Sequence, residues 1–368
     1  MSDGDLVNGT EPAGDEMRLR RALWIVPVAD LGGVARHVLD VARVGIPGWQ
    51  LTVLCPVGPL ADRLRAQGSA VTAGAFGTEA GALTSRRTLA AVAKALRPDV
   101  VHSHLAFADI VNAWTSLPEG TRRFTTEHGI AGDDGVYHAS GLQSRAMALV
   151  HRARFPRFDG VIAVAEATRR VMIEKWHVTQ RIAVIHNGVD LPTGVERRDP
   201  SSVSGLRVLS LSRLAPEKRI DKLIEAFALI LRDHPDATLT IAGEGPLRAE
   251  LENHAMGLGV LGSTYFAGYV DADEAMGNAD ILTQLSIWEN CSYTLLDAAA
   301  RELRILASDV GGNREIVGEA SVVDRESSAN VVARRLVTTV PRRSPKLISV
   351  GDMCEHLVKE YEREMHDD

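Results

Sequence analysis

The chain is poor in the features that would place it in several common classes. It has three cysteines in 368 residues, Cys55, Cys291 and Cys354, with no CxxC pair. That scatter excludes a disulfide framework and a cysteine-based zinc site. Aromatic residues make up 5% of the chain, and no apolar run approaches the roughly 20 residues that a membrane-spanning helix needs. The opening segment "MSDGDLVNGTEPAGDE" is acidic and polar and lacks the basic and apolar regions of a secretory leader. A disordered tail over residues 1–17 and a cytoplasmic location are therefore expected. No finger, RNP-like or helix-turn-helix signature accompanies the basic residues, which argues against nucleic acid as a partner.

What is present is a soluble globular composition, 45% apolar and 24% charged, long enough for two domains. Short apolar runs alternate with helix-length segments in both halves. In the first half the strand candidates are "ALWIVPV", "QLTVLCP", "DVVHSH", "GVIAVA" and "IAVIHN"; in the second they are "LRVLSLS", "ATLTIAG", "TYFAG", "DILTQLS" and "RILASD". Continuous apolar strands separated by helices predict parallel sheets covered on both faces. The sequence thus divides into an α/β domain over residues 18–190, a polar linker at 191–205 and a second α/β domain over 206–350. A last amphipathic helix over 351–368 packs on one domain or bridges the two.

Charge is uneven. Residues 1–190 carry 21 Lys+Arg against 19 Asp+Glu, and residues 191–368 carry 20 against 29. A solvated surface with accidental bias is one reading. The other is contact with an anionic membrane surface through the basic, amphipathic stretch Arg145–Arg157.

In open parallel sheets ligands gather at the carboxyl ends of strands. Gly32-Gly33 there opens a helix whose free N–H groups suit a phosphate. Arg213 and Lys218 bracket a Pro-Glu turn and could clamp a diphosphate. Gly243 lies in a Gly-Glu-Gly-Pro turn after a strand. His128 in "TTEHGI" follows another strand, where it could serve a sugar hydroxyl or simply the structure. His102 and His104 share a strand face, with no third metal ligand specified by the sequence. "HNGVD" reads as a turn whose Asn-Gly supplies positive φ. "VDADEA" is either a DxD metal–diphosphate motif or a helix cap, and the cap is preferred. Finally, Glu289 and Asp297 sit eight residues apart around the start of a helical run.

Together "LGGVARHV", "TEHG", "VIAVAEATRRVM", "IHNGVD", "LSRLAPEKRIDKLIEAF", "LTIAGEGPLRAEL", "FAGYVDADE" and "ASDVGGNREIV" resemble, in order and spacing, the GT-B-fold retaining glycosyltransferases of family 4. The resemblance implies two Rossmann-like domains facing across a cleft, a nucleoside-diphosphate-sugar donor on the second domain and an acceptor on the first. The acceptor could be a lipid-linked saccharide, a polysaccharide or a small natural product. The resemblance also implies that Arg213 and Lys218 contact the donor diphosphate and that Gly33 approaches the phosphates. His128 and Glu289 then face the transferred sugar. Asn290, Ser292, Tyr293 and Thr294 open a helix toward the donor, with Gly243 nearby, and no metal or other cofactor is needed.

The chain departs from the family at two places. The second carboxylate, which in the family accepts ribose hydroxyls, is Asp297 rather than Glu. Glu302 and Arg304 occupy positions where the family has Gly and Pro. Two rivals stay open: a catalytically impaired GT-B-fold binding partner, and a sugar-nucleotide epimerase or hydrolase on the same fold.

Overall fold

The computed structural model describes residues 19–129, 149–190, 205–338 and 347–363. The acidic tail, residues 191–204 of the linker and residues 145–148 of the basic stretch lie outside them. Seven strands form the first sheet: β1 (Arg20–Ile25), β2 (Trp49–Cys55), β3 (Val71–Ala73), β4 (Val100–His104), β5 (Arg122–Glu127), β6 (Gly160–Ala163) and β7 (Ile182–Val184). Six form the second: β8 (Arg207–Leu211), β9 (Thr238–Ala242), β10 (Thr264–Gly268), β11 (Ile281–Gln284), β12 (Arg304–Ser308) and β13 (Val322–Val323). Their orders are β3-β2-β1-β4-β5-β6-β7 and β10-β9-β8-β11-β12-β13. Every pairing within the two sheets is parallel.

The helices that follow the first-sheet strands are α1 (Gly33–Val44), α2 (Pro59–Ala66), α3 (Ala82–Leu96), α4 (Ala106–Trp114) and α5 (Glu166–Trp176). Those of the second half are α6 (Ile220–Asp233), α7 (Arg248–Gly257), α8 (Ala272–Gly277), α9 (Tyr293–Ala300), α10 (Asn313–Val317) and α11 (Ala329–Thr338), with α12 (Val350–Glu362) at the end. In each sheet the strand order reverses once, between β1 and β4 and between β8 and β11. Such a reversal leaves a crevice at the strands' carboxyl ends.

α12 does not stay with the second sheet. Its buried residues Val350, Met353, Cys354, Leu357 and Tyr361 join the first domain's core beside Trp24, Val38 and Trp49. Trp24 Nε1–H donates to Tyr361 Oη at 2.9 Å. A capping box between Ser349 and Asp352 starts the helix.

The "HNGVD" turn owes its glycine to this packing. Neither Asn187 nor Gly188 has positive φ, contrary to the sequence expectation. A Cβ on Gly188 would instead lie 2.3 Å from the Ser349 carbonyl oxygen, so close backbone approach selects glycine. The DxD reading resolves as a cap, with Asp271 accepting from the N–H groups of Asp273 at 2.9 Å and Glu274 at 3.0 Å.

The basic stretch is not wholly a surface. Arg154 is fully buried, 3.1 Å from Asp109 and 3.0 Å from Glu127. Phe155 is buried too, so the part of Arg145–Arg157 available to a membrane is smaller than the sequence implied. Among the described residues, no helix is long and apolar enough to cross a membrane.

Burial raises the pKa of Glu127 to about 7, against the pull of Arg154. Folding thus retains a proton that the unfolded chain releases between about pH 4.5 and 7, so this group's contribution to stability falls as pH rises through that window. Glu127→Gln removes the titration. The expected outcome is a smaller loss of Tm between pH 5 and pH 8 than in the wild type, and an unchanged loss would count against this assignment.

Glu302 sits at φ 52°, in the left-handed region just past α9. A non-glycine residue there is strained, so Glu302→Gly is expected to stabilise the fold by about 0.5–1 kcal/mol in urea unfolding. Arg304 has found a use in place of the family's Pro, since Nη2 donates to the Leu336 carbonyl near the end of α11 at 2.8 Å.

Candidate active site

The carboxyl ends of β8 and β11 bring the second-domain residues together. The loop after β8 holds Arg213 and ends in a 3-10 turn, Pro216–Lys218. The loop after β11 carries Glu289. Three donors converge on Glu289 Oε1: the Lys218 ammonium, Gln284 Nε2 at 2.5 Å and Ser286 Oγ at 2.8 Å. Gln284 in turn accepts from Ser292 Oγ at 2.9 Å, and Ser292 is the N-cap of α9. One carboxylate oxygen is thus fixed by protein donors at a helix N-terminus, where the helix dipole favours negative charge. Arg213 stays exposed and pairs with Glu217.

Two glycine positions hold these loops in place. Gly311 has φ 52°, and a Cβ there would lie 1.7 Å from the Glu289 carbonyl oxygen, while Gly312 N–H donates to the Asn290 carbonyl at 2.8 Å. Gly243 has φ 131°, and a Cβ would lie 2.0 Å from the Ser212 carbonyl oxygen, so its turn packs directly on the Arg213 loop.

The first domain closes on α9 from the other side. Gly33 begins α1 with no side chain capping its free N–H groups, and its Cβ position is 3.9 Å from the Tyr293 ring. One turn further, Arg36 reaches Asp297 with both guanidinium nitrogens, Nη2 at 2.7 Å from Oδ1 and Nη1 on Oδ2. The same guanidinium lies 4.4 Å from the Tyr293 ring centroid. Asn187 Nδ2 donates to the Cys291 carbonyl at 3.2 Å, and the loop at Gly129 approaches Asn290. Glu315 of α10 accepts from the N–H groups of Glu166 at 2.9 Å and Ala167 at 2.8 Å, at the start of α5.

His128 is the outermost of a group of buried imidazoles. It is half-buried, and its Nε2 lies 2.8 Å from His104 Nδ1. His37 packs edge-on to it with ring centroids 4.7 Å apart. Burial lowers the pKa of all three, that of His37 to about 4, so they are neutral at pH 7. The Nε2 atoms of His37 and His104 are buried with no hydrogen-bond partner, each costing about 1–3 kcal/mol of lost solvation.

Comparison with known proteins places this architecture. Residues 31–192 match Glycosyltransferase Family 4, and residues 197–344 match Glycosyl transferases group 1. The chain belongs to this glycosyltransferase family. A glycogen synthase of Mycobacterium tuberculosis is 29% identical over 336 residues, covering 82% of this chain and 80% of that protein. The alpha-monoglucosyldiacylglycerol synthase of Streptococcus pneumoniae is 25% identical over 241 residues, 59% of this chain and 53% of that one. Among solved structures, Anabaena HepE in complex with UDP superposes with a TM-score of 0.73 at 18% identity, over 93% of this chain and 95% of the other. That last likeness shows the shared GT-B fold.

Within the glycosyltransferase, the structure brings Lys218, Glu289, Asn290, Ser292 and Tyr293 into one neighbourhood, with Gly33 across the cleft. Asp297 belongs to it as well, although Arg36 occupies the carboxylate that the resemblance assigns to ribose. Sequence reasoning missed Arg36, His37, Asn187 and Glu315. The signal for the first two was available: they stand one helical turn beyond Gly33 and so share its end of the helix. Asn187 and Glu315 lie inside the motifs "IHNGVD" and "ASDVGGNREIV", but the contacts they make across the cleft are with residues far away in the sequence.

Proposed function

We propose that this glycosyltransferase moves a sugar from a nucleoside-diphosphate sugar to an acceptor hydroxyl, with retention and without a metal at the diphosphate. The observation that carries the reading is the convergence of Lys218, Gln284 and Ser286 on Glu289 at the N-terminus of α9. Glu289, held by one oxygen, accepts hydroxyls of the donor sugar. Lys218 and Arg213 neutralise the departing diphosphate, and the free N–H groups at the starts of α9 and α1 add partial positive charge. Charge stabilised in a closed cleft by fixed groups is the largest catalytic term such a site offers. Solved relatives holding UDP and UDP-glucose support a nucleotide-sugar donor. A glycogen synthase and a glycolipid synthase among the relatives support an acceptor that is a carbohydrate or a lipid.

Calorimetric titration with UDP, GDP, ADP and dTDP tests the donor site, with Arg213→Ala as control. Selective binding of one nucleotide, weakened in the variant, is expected. The absence of any nucleotide binding would favour a binding-partner role, the reading that the engaged Asp297 supports. The Arg36–Asp297 pair competes with ribose for the carboxylate. Charge-assisted hydrogen bonds are worth about 1.5–3 kcal/mol, less when partly exposed, so Arg36→Ala is expected to tighten nucleotide binding about tenfold. Unchanged or weaker binding would show that Arg36 helps rather than blocks the ribose.

A further inference from the structure

We propose that His37, His104 and His128 form a binding site for one divalent transition-metal ion of the zinc class, open on its fourth side toward the cleft. The proposal does not depend on the sugar-transfer reading. One ring nitrogen from each residue lies within 4.8 Å of the others. A tetrahedral zinc holds its nitrogen ligands at about 2.0–2.1 Å, hence about 3.3 Å apart, so side-chain rotations of about 1.5 Å or less assemble the site. The sequence offered only the His102–His104 pair. The fold brings His37 from α1 and His128 from the end of β5 onto His104.

The hydrogen bonds decide which histidines have a lone pair to give. Asn187 donates through Nδ2 to the Cys291 carbonyl, which turns its Oδ1 toward His37 Nδ1 at 3.2 Å. His37 therefore carries its proton on Nδ1, and Nε2 is a bare acceptor with nothing donating to it. A metal-bound histidine that donates its other N–H to a carbonyl oxygen is the usual second-shell arrangement. His104 Nδ1 and His128 Nε2 share one hydrogen bond, which engages one of the two rings' lone pairs. A bound ion replaces that bond, so that His104 through its unpartnered Nε2 and His128 through its released Nε2 each give one lone pair.

His102 is excluded as a ligand. Tyr361 Oη accepts from Trp24, donates to His102 Nδ1, and so sets the His102 Nε2–H donating to Thr126 Oγ1 at 2.8 Å. Trp24, parallel to His37 at 5.5 Å, floors the cluster and leaves His128 as its outlet. Neutral imidazoles suit zinc, cobalt or nickel better than magnesium or calcium, which prefer oxygen ligands. A bound ion occupies the His128 lone pair, so it acts as a reversible inhibitor of any chemistry that uses His128.

The test uses the full chain after treatment with a chelator, titrated calorimetrically with zinc sulfate and spectroscopically with cobalt(II). One equivalent of zinc is expected, with the strong visible bands of tetrahedral cobalt. His128→Ala should weaken binding at least about 100-fold, and Asn187→Ala about 10–100-fold through loss of the second shell. His356→Ala on α12 should leave it unchanged. His128 is half-buried on a loop, and a wild-type melting temperature of the His128→Ala chain excludes unfolding as the cause of any loss. The proposal is overturned by no stoichiometric zinc binding, by a weak octahedral cobalt spectrum, or by equal affinity in His128→Ala.

Discussion

Lys218→Ala is expected to lower turnover by about 10²–10³-fold, the usual cost of removing one fixed donor from a site where charge develops. Two effects add. The departing diphosphate loses a cation, and Glu289 loses the ammonium that helps to fix its Oε1. Glu289→Gln separates them, because it keeps the shape of the site while removing the charge that holds Lys218. If Lys218 acts mainly on the leaving group, Glu289→Gln lowers kcat less than Lys218→Ala does, with nucleotide binding preserved. The measurement is release of nucleoside diphosphate with the donor identified by titration. A loss below about tenfold for Lys218→Ala would remove the cation from the proposed mechanism.

The largest expected effect on stability belongs to Arg154→Ala. Its guanidinium is fully buried between Asp109 and Glu127, and it also stacks near the rings of Phe155 and Trp176 at 4.7 and 5.0 Å. Removing one partner of a buried ionic cluster costs about 3–5 kcal/mol, because the remaining charges stay out of water. For a domain of this size that corresponds to about 6–20 °C in Tm. Adding Asp109→Asn and Glu127→Gln to the variant should recover part of the loss, since no carboxylate then remains to be desolvated. A shift under about 2 °C, read by near-ultraviolet circular dichroism, would mean that the cluster contributes little.

Much of the fold was legible because its signals are local and repeated. The helix that Gly32-Gly33 opens does begin at Gly33, and the run "TYFAG" is the strand Thr264–Gly268. β3 and β13, three and two residues long, were missed, whereas the equally short β7 was marked by the longer run "IAVIHN". The destination of the last helix was also hidden, since amphipathicity declares a buried face without saying what covers it.

The site divides the same way. Lys218 and Glu289 stand in loops whose turn residues mark them, and the structure joins them. His128 was visible as a lone histidine, whereas its company, His37 and His104, comes from two other elements. Glu302, which stands where the family has Gly, has a φ above zero because the end of the helix makes that local demand. The engagement of Asp297 by Arg36 spans 261 residues and the cleft between two domains. No window of sequence contains it.

The return of α12 to the first sheet has a consequence for biogenesis. Trp24 and Tyr361, partners in one core, are separated by 337 residues. At about 5–20 residues per second, a ribosome adds the second roughly 20–70 s after the first. During that interval the first sheet has emerged without the helix that covers Trp24 and Trp49, whereas the second sheet has its own helices in hand as soon as α11 is out. The half of the molecule made first therefore lacks part of its core until α12 is made, whereas the second sheet needs nothing later than α11.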